Sequence, residues 1–446
     1  MWFRRDLRVA DHEALAEAAA SGPVLALYVL DPAFARSGAP RKAFLRGALD
    51  SLSKATDGAL VVVAGDPVAV VPAVAAKVGA RRVVVSRDHG PYGRRRDSAV
   101  AVALRSAGVE FRGSGSNYAV DPGSVNKGDG TAYRVFTPFS RAWRAHGWAA
   151  PTGPVDVTWH RSSLSCWSSD GEAFLEGAAP TEPWLPEPRE DSAHARWEHF
   201  LTRIDQYSDQ RDLPALDGTS RLSAALRWGQ LHPTRLLAEA GPSRGAEVFT
   251  SEICWREFYA DVLFREPSSA WANLNQQMNA MPLDTDARAA ERFQRWASGT
   301  TGFPIVDAGM RQLLHTGWMH NRVRMIVASF LVKDLHLPWQ WGARHFMLHL
   351  LDGDLASNAH GWQWTAGTGT DAAPYFRVFN PTSQGQRFDP DGEYVRRWVP
   401  ELGHLDGPAV HLPTGLLAPD YPSPMVEHAA ERDEALARYR SIRQST

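Results

Sequence analysis

Along the first 130 residues the apolar positions come in short, near-continuous runs rather than in alternation. Val24 to Leu30, Leu60 to Ala64, Val83 to Ser86 and Val109 to Arg112 are such runs. Strands covered by helices on both faces of a parallel sheet read this way, because neither face meets water. Between them, Arg41 to Ser53 and Ala69 to Val78 space their apolar residues at helical intervals. The alternation predicts a doubly wound α/β domain over 1–130. No G-x-G-x-x-G turn follows the first strand, so dinucleotide binding is unsupported there, and a ligand would sit at the carboxyl ends of the strands.

The pattern changes after that. Pro151, Pro154, Pro180, Pro183, Pro186 and Pro188 stand among Ser, Gly and Trp. They disfavour helix and predict either an interdomain linker over 131–195 or an irregular extension of a neighbouring domain. From 196 to 446 the spacing is helical, with no convincing strand pair. Pro304 opens one helix that Gly317 ends, and a second is predicted over Trp318 to Leu335, stopping before Pro338.

Charge narrows the partners only slightly. Lys plus Arg is 48 and Asp plus Glu is 50, a net of −2, so any contact with nucleic acid must come from a local basic patch. The two cysteines, Cys166 and Cys254, make neither a metal spacing nor a disulfide framework, which fits a reducing compartment. No secretory h-region follows Met1 and no apolar run is long enough for a bilayer. The expectation is a cytoplasmic monomer without a metal. Seventeen Trp are present, many between 255 and 400. Core filling accounts for most Trp, but some can stack on a ligand or carry electrons.

Several segments carry candidate chemistry. Gly218 to Ser223 places a turn and hydroxyls before an apolar helical run, which suits either phosphate oxygens or an ordinary N-cap. Glu252, Trp255, Arg256 and Tyr259 fall on one helical face while Phe249, Ile253 and Phe258 turn elsewhere. An acid, a guanidinium and an indole in one stripe suit a flat polar ligand, or a solvated face with a Glu–Arg pair. Asn321, Arg324 and Met325 likewise share a face, with Val323, Ile326 and Phe330 left for the core. Asp352-Gly353-Asp354 has the spacing for a divalent cation but no phosphate-transfer motif beside it. His345 and His349 read as ordinary helix histidines, and Gly367-Thr368-Gly369-Thr370 reads as a turn, since it lacks the Lys of a phosphate loop.

Taken in order, Trp2-Phe3-Arg4-Arg5-Asp6-Leu7-Arg8, Thr219 to Ser223, Trp255-Arg256-Glu257-Phe258-Tyr259, Gly317-Trp318-Met319-His320-Asn321-Arg322 and Asp352 through Asn380 resemble the photolyase/cryptochrome family, closest to its class I members that repair cyclobutane pyrimidine dimers. The run Thr370-Asp371-Ala372-Ala373-Pro374-Tyr375-Phe376-Arg377 is the most specific of these. The resemblance covers nearly the whole chain. It implies an α/β domain that binds an antenna chromophore, then a linker, then a large all-α domain that binds FAD and the DNA lesion.

By motif position, the resemblance implies that Tyr207, Thr219, Ser220, Arg221, Leu222, Ser223 and Phe249 hold FAD. It assigns the flavin edge to Asp352 and Asp354, with Arg324 pairing Asp352 and Asn358 beside N5. The implied reaction is light-driven: excited reduced FAD gives an electron to a flipped-out dimer, the ring opens and the electron returns. Glu252 would stabilise the base radical anion. Trp255, Arg256, Tyr259, Asn321, Met325 and Trp364 would line the lesion pocket. Arg211, Arg322, Arg377, Gln384 and Arg387 would meet the DNA backbone. UV-damaged DNA is the implied partner.

Asn321 and Met325 are the residues of dimer repair, where relatives acting on (6-4) photoproducts carry His. The chain has no long tail after the family region, which also argues for repair over a cryptochrome-like light receptor, the alternative reading. Trp362 and Trp339 match the inner two of three tryptophans through which the family reduces its flavin. Asp286 stands where the outer one is expected, leaving Trp341, Trp296 or a Tyr to serve. The chain also begins a few strand residues later than its relatives. Pro91-Tyr92-Gly93-Arg94-Arg95-Arg96-Asp97 resembles members that bind a deazaflavin antenna, with Asp97 and Arg227 near it. A folate antenna or none, with the Arg run as a solvated turn, is the other reading.

Overall fold

The computed structural model describes residues 1–162, 174–175, 187–371 and 377–444, with side chains to 442. Cys166, Pro180, Pro183, Pro186 and the expected motif residues Ala372 to Phe376 lie outside the described residues. The chain forms two compact units. One comprises 1–162, 174–175, 187–205 and 220–267; the other comprises 206–219, 268–371 and 377–444. The helical region that begins at 196 is thus shared between them.

The first unit carries the parallel sheet. β1 (Trp2–Phe3) pairs with β2 (Ala26–Leu30), which pairs with β3 (Leu60–Ala64); β4 (Arg82–Arg87) pairs with β5 (Glu110–Ser116). β1 also packs beside β4, which brings the three-stranded and two-stranded parallel sheets edge to edge. Val29, Val61, Val83 and Val85 bury with Val100 and Leu104 of the helix Pro91–Ser106. Pro91 at the first helical position has its φ already set, which starts that helix without a side-chain cap. The run Arg94 to Arg96 therefore sits on a helix, not in a solvated turn.

The second unit is helical among its described residues. Trp296, Met310, Leu313, Val327, Phe330, Leu335 and Tyr394 form its dry centre, each essentially without exposure. Pro304–Thr316 is a helix closed by Gly317 at φ 69°, where a side chain would be strained. The helix predicted from Trp318 begins instead at Asn321. His320 caps it, accepting from the Arg322 amide at 3.2 Å, and its end widens into a π-turn over Phe330–Asp334.

Candidate functional site

In the second unit, the helix Leu355–Ala366 organises the candidate cofactor residues. Its N-cap is Asp354, whose carboxylate accepts from the Ser357 amide at 3.1 Å. Two residues earlier Asp352, with 2% side-chain exposure, is gripped by both terminal nitrogens of Arg324 at 3.2 and 2.8 Å. Arg324 comes from the helix Asn321–Ser329 and fixes its own direction by donating Nε to the Met319 carbonyl at 2.8 Å. A planar fork on a carboxylate resists rotation as well as separation. Asn358 donates its amide N–H to the Ala343 carbonyl at 2.9 Å, leaving its own carbonyl as an acceptor.

Trp362 lies one turn further along that helix, buried, and its indole N–H has no partner. Its ring meets Gly342 so closely that a Cβ there would come within 2.1 Å of it, so only glycine fits. From Trp362 a chain of ring contacts runs outward. Trp296 stands edge-on at 6.1 Å between centroids, Phe293 follows at 5.6 Å, and the half-buried Trp341 lies 5.6 Å beyond that. Burial pushes His345, edge-on to Trp296 at 5.5 Å, down to about 4, so it is neutral near pH 7. Trp339 gives its N–H to Asn273 at 2.8 Å. Asp286 is the N-cap of the helix Ala287–Ser298, accepting from the Ala289 amide at 2.8 Å. A Trp there would forfeit that cap, which is a local reason for the departure.

The basic candidates of this unit differ in freedom. Arg322 pairs with Asp212 at 2.9 Å and lies over Phe388 at 4.3 Å. Arg211 lies 4.0 Å from the same carboxylate and 5.6 Å over the buried Tyr207. Arg377 and Arg387 are exposed, and Gln384, Trp364 and Met325 are half-exposed beside the exposed Asn321. The face reading of Asn321, Arg324 and Met325 agrees with the burial of Val323, Ile326 and Phe330. Among the described residues no cluster of His, Cys, Asp and Glu could hold a metal ion. Asp352 and Asp354 are committed to Arg324 and to the cap.

In the first unit the helix Arg244–Arg265 carries the other set. Glu252, Trp255, Arg256 and Tyr259 are half-exposed, while Phe249, Ile253, Cys254, Glu257 and Phe258 are buried. Phe136 lies flat on Trp255, 3.6 Å between centroids and 6° from parallel, and Tyr259 tilts against Trp255 at 5.4 Å. The pairing of Phe136 with this face was not legible in the sequence, because 119 residues separate it from Trp255. Arg256 spends its guanidinium on the carbonyls of Asn117 and Leu226 at 2.9 and 3.3 Å and lies over Tyr118. These bonds fasten the helix to its surroundings.

Glu257 was not among the expected site residues, and it is the most constrained carboxylate of this helix. It accepts from the amides of Ala119 and Val120 at 2.5 and 3.1 Å and from the Trp143 indole at 2.7 Å. Burial pushes it up to about 7 against those donors. The only sequence signal was its place inside the Trp255 to Tyr259 run.

The segment before Ser223–Trp228 resolves one alternative. Leu222 is the N-cap and no side chain caps the helix. Arg196 holds the Ser220 carbonyl at 3.0 Å, Arg221 takes the left-handed conformation at φ 52°, and Ser223 is exposed. Phe249 is buried against Trp197 at 5.3 Å. Asp97 is ion-paired with both Arg4 and Arg96, and Arg227 lies over Trp228 at 5.1 Å. Just after β1, Asp6, held low by His12, Ser86 and Arg4 despite its burial, accepts from the Ser86 hydroxyl of β4 at 2.6 Å.

Comparison with known proteins shows the family to which the chain belongs. Residues 1–155 match the family model described as DNA photolyase, and 249–441 match the FAD binding domain of DNA photolyase. The deoxyribodipyrimidine photo-lyase of Salmonella typhimurium is 40% identical, covering 99% of this chain and 98% of its own. A bacterial class III photolyase from Agrobacterium tumefaciens superposes with a TM-score of 0.90 at 35% identity, over 99% of this chain and 97% of that one. A cryptochrome from Synechocystis superposes at 0.88 with 28% identity, over 98% of each.

Proposed function

The chain belongs to the DNA photolyase family, and from that premise we propose that it repairs cyclobutane pyrimidine dimers in DNA, driven by light and using bound reduced FAD. The observation that carries the proposal is the end of the helix Leu355–Ala366. There a fixed carboxylate–guanidinium pair leads into the helix, and an amide carbonyl and an unpartnered buried indole N–H follow on its successive turns. That donor and acceptor set fits a flat, polar heteroaromatic ring. When bound, the flavin supplies light absorption and a reversible one-electron donation.

The chain's own residues do the rest. Asp352, Asp354 and Arg324 orient the ring edge, and the Asn358 carbonyl accepts from a ring N–H at the position expected for N5. Tyr207, Thr219 to Ser223 and Phe249 hold the remainder of the dinucleotide. Glu252, donating as a carboxylic acid, hydrogen-bonds the damaged base and stabilises negative charge that develops on it; placing that donor in advance avoids reorganisation at the moment of reaction. Trp255, backed by Phe136, and Tyr259 offer an aromatic wall to an extruded base, with Trp364, Asn321 and Met325 completing the contacts. Arg377, Arg387, Gln384, Arg211 and Arg322 meet DNA phosphates, and Arg256 joins Trp255 and Tyr259 at the lesion pocket. Trp362 relays electrons inward, through Trp339 or by the ring path through Trp296 and Trp341.

A deazaflavin antenna near Asp97 and Arg227 belongs to the same proposal, as does the division into antenna domain (1–130), linker (131–195) and catalytic domain (196–446). The likeness to a cryptochrome keeps one alternative, a light receptor without repair. The test is recovery of thymine absorbance from an oligothymidine carrying cyclobutane dimers, with anaerobically reduced protein under blue light. Recovery only in the light supports repair. No recovery with FAD bound and reduced supports the receptor.

A further inference from the structure

In the first unit the helix Phe136–His146 packs against the helix Arg244–Arg265, and its aromatic residues are of two kinds. Phe139 and Trp143 are buried. Phe139 tilts against Phe258 at 5.0 Å, and the Trp143 indole donates to Glu257 at 2.7 Å. These two, one turn apart on the same face, dock the helix. Phe136 differs: it is half-exposed at the first position of the helix, and its ring lies on Trp255.

Two aromatic rings left to themselves tilt or slide until their centroids stand ~4.5–7 Å apart. Phe136 and Trp255 instead lie face to face, 3.6 Å between centroids and 6° from parallel. The docking of the two helices imposes that overlap, since each helix supplies one ring. Phe258 stands edge-on to both, at 5.9 Å from Phe136 and 5.8 Å from Trp255, and Tyr259 tilts against the indole at 5.4 Å. Three rings thus bracket Trp255 and cover one of its faces. The indole is still half-exposed, so it presents a platform in one orientation with its exposure off the covered face.

A platform that is already immobilised loses less freedom when a base stacks on it. Only an extruded base gains from this. Undamaged duplex keeps its bases stacked and is held through its phosphates.

We propose that Phe136 is a positioning residue for lesion recognition: it clamps the Trp255 indole with one face presented, and thereby raises the preference for an extruded dimer over undamaged DNA. This role rests on the function proposed above.

The experiment measures the affinity of the FAD-loaded protein, in the dark, for a duplex carrying one cyclobutane thymine dimer and for the same duplex undamaged. Phe136→Leu should lower the ratio of the two about fivefold, the loss usual for one side chain that must be ordered on binding. Phe136→Tyr keeps the flat ring and should restore the ratio. Phe139→Leu removes a buried ring from the same helix; it should lower the unfolding midpoint and leave the ratio unchanged, which separates positioning from general support of the helix. An unchanged ratio in Phe136→Leu, failure of Phe136→Tyr to restore it, or an equal loss in Phe139→Leu overturns the proposal. Circular dichroism checks folding, and Phe136→Met replaces the leucine variant if that one unfolds. Wild-type protein with no preference for the dimer overturns the function proposed above and this role with it. A preference that survives Phe136→Leu overturns this role alone, and preferential binding without repair in the light leaves it standing.

Discussion

The helices Arg244–Arg265 and Leu355–Ala366 both present candidate site residues, but by opposite means. The first keeps Glu252, Trp255 and Tyr259 half-exposed on one face and is secured by a half-exposed Arg256 on two carbonyls and a buried Glu257 on three donors. The second uses its N-terminal turn, fixes Asp352 with an arginine from another helix, and buries its aromatic group with a free N–H. An exposed face suits a macromolecule that must arrive and leave. A buried, pre-paired turn suits a cofactor that stays. The difference also marks where each is vulnerable: the first to loss of a contacting group, the second to loss of internal pairing.

The sharpest test of the buried helix is Trp362→Phe. Photoreduction of oxidised flavin should fall at least a hundredfold, while repair by chemically reduced protein is retained, and light-induced bleaching of the flavin band checks both. Trp341→Phe asks which exit the electron takes; a slowed photoreduction in that variant supports the ring path through Trp296 and Phe293, and an unchanged rate supports Trp339. Breaking the pair by Arg324→Met leaves the Asp352 carboxylate buried without its partner. It should cost about 3 kcal/mol and release FAD on gel filtration.

The exposed helix should respond in catalysis before it responds in stability. Glu252→Gln should lower the repair yield per absorbed photon by roughly tenfold with little change in the unfolding midpoint. Its buried neighbour gives the reverse. Glu257 has its folded-state value raised from 4.5 to about 7, so the folded state holds a proton that the unfolded state has lost between those values. Stability is therefore full below about pH 4.5 for this group, falls as pH rises towards 7, and is level above. Urea midpoints between pH 5 and 7.5 should show that decline, and Glu257→Gln should flatten it. The smallest effect is expected at the DNA backbone. Arg387→Ala should reduce the slope of log affinity against log salt by about one phosphate contact, leaving the repair yield of bound substrate unchanged.

Much of this was legible in the chain alone. β2 and β3 fall within or on the apolar runs Val24 to Leu30 and Leu60 to Ala64, and Gly317 ends its helix as expected, because such signals depend on nearest neighbours. The mixed face of Glu252, Trp255, Arg256 and Tyr259 was visible for the same reason: helical periodicity assigns faces without reference to the rest of the fold. The Arg94 to Arg96 run was ambiguous because charge alone does not distinguish a turn from a helix whose arginines find carboxylates, as Arg96 does in Asp88 and Asp97.

What only the tertiary structure decided is who pairs with whom. Arg324 reaching Asp352, Phe136 lying on Trp255, Glu257 gathering the amides of 119 and 120, and Trp296 standing edge-on to Trp362 all join residues far apart in sequence. Periodicity fixes which side of an element a residue occupies. It does not fix which element will cover that side, since that depends on packing the whole chain at once.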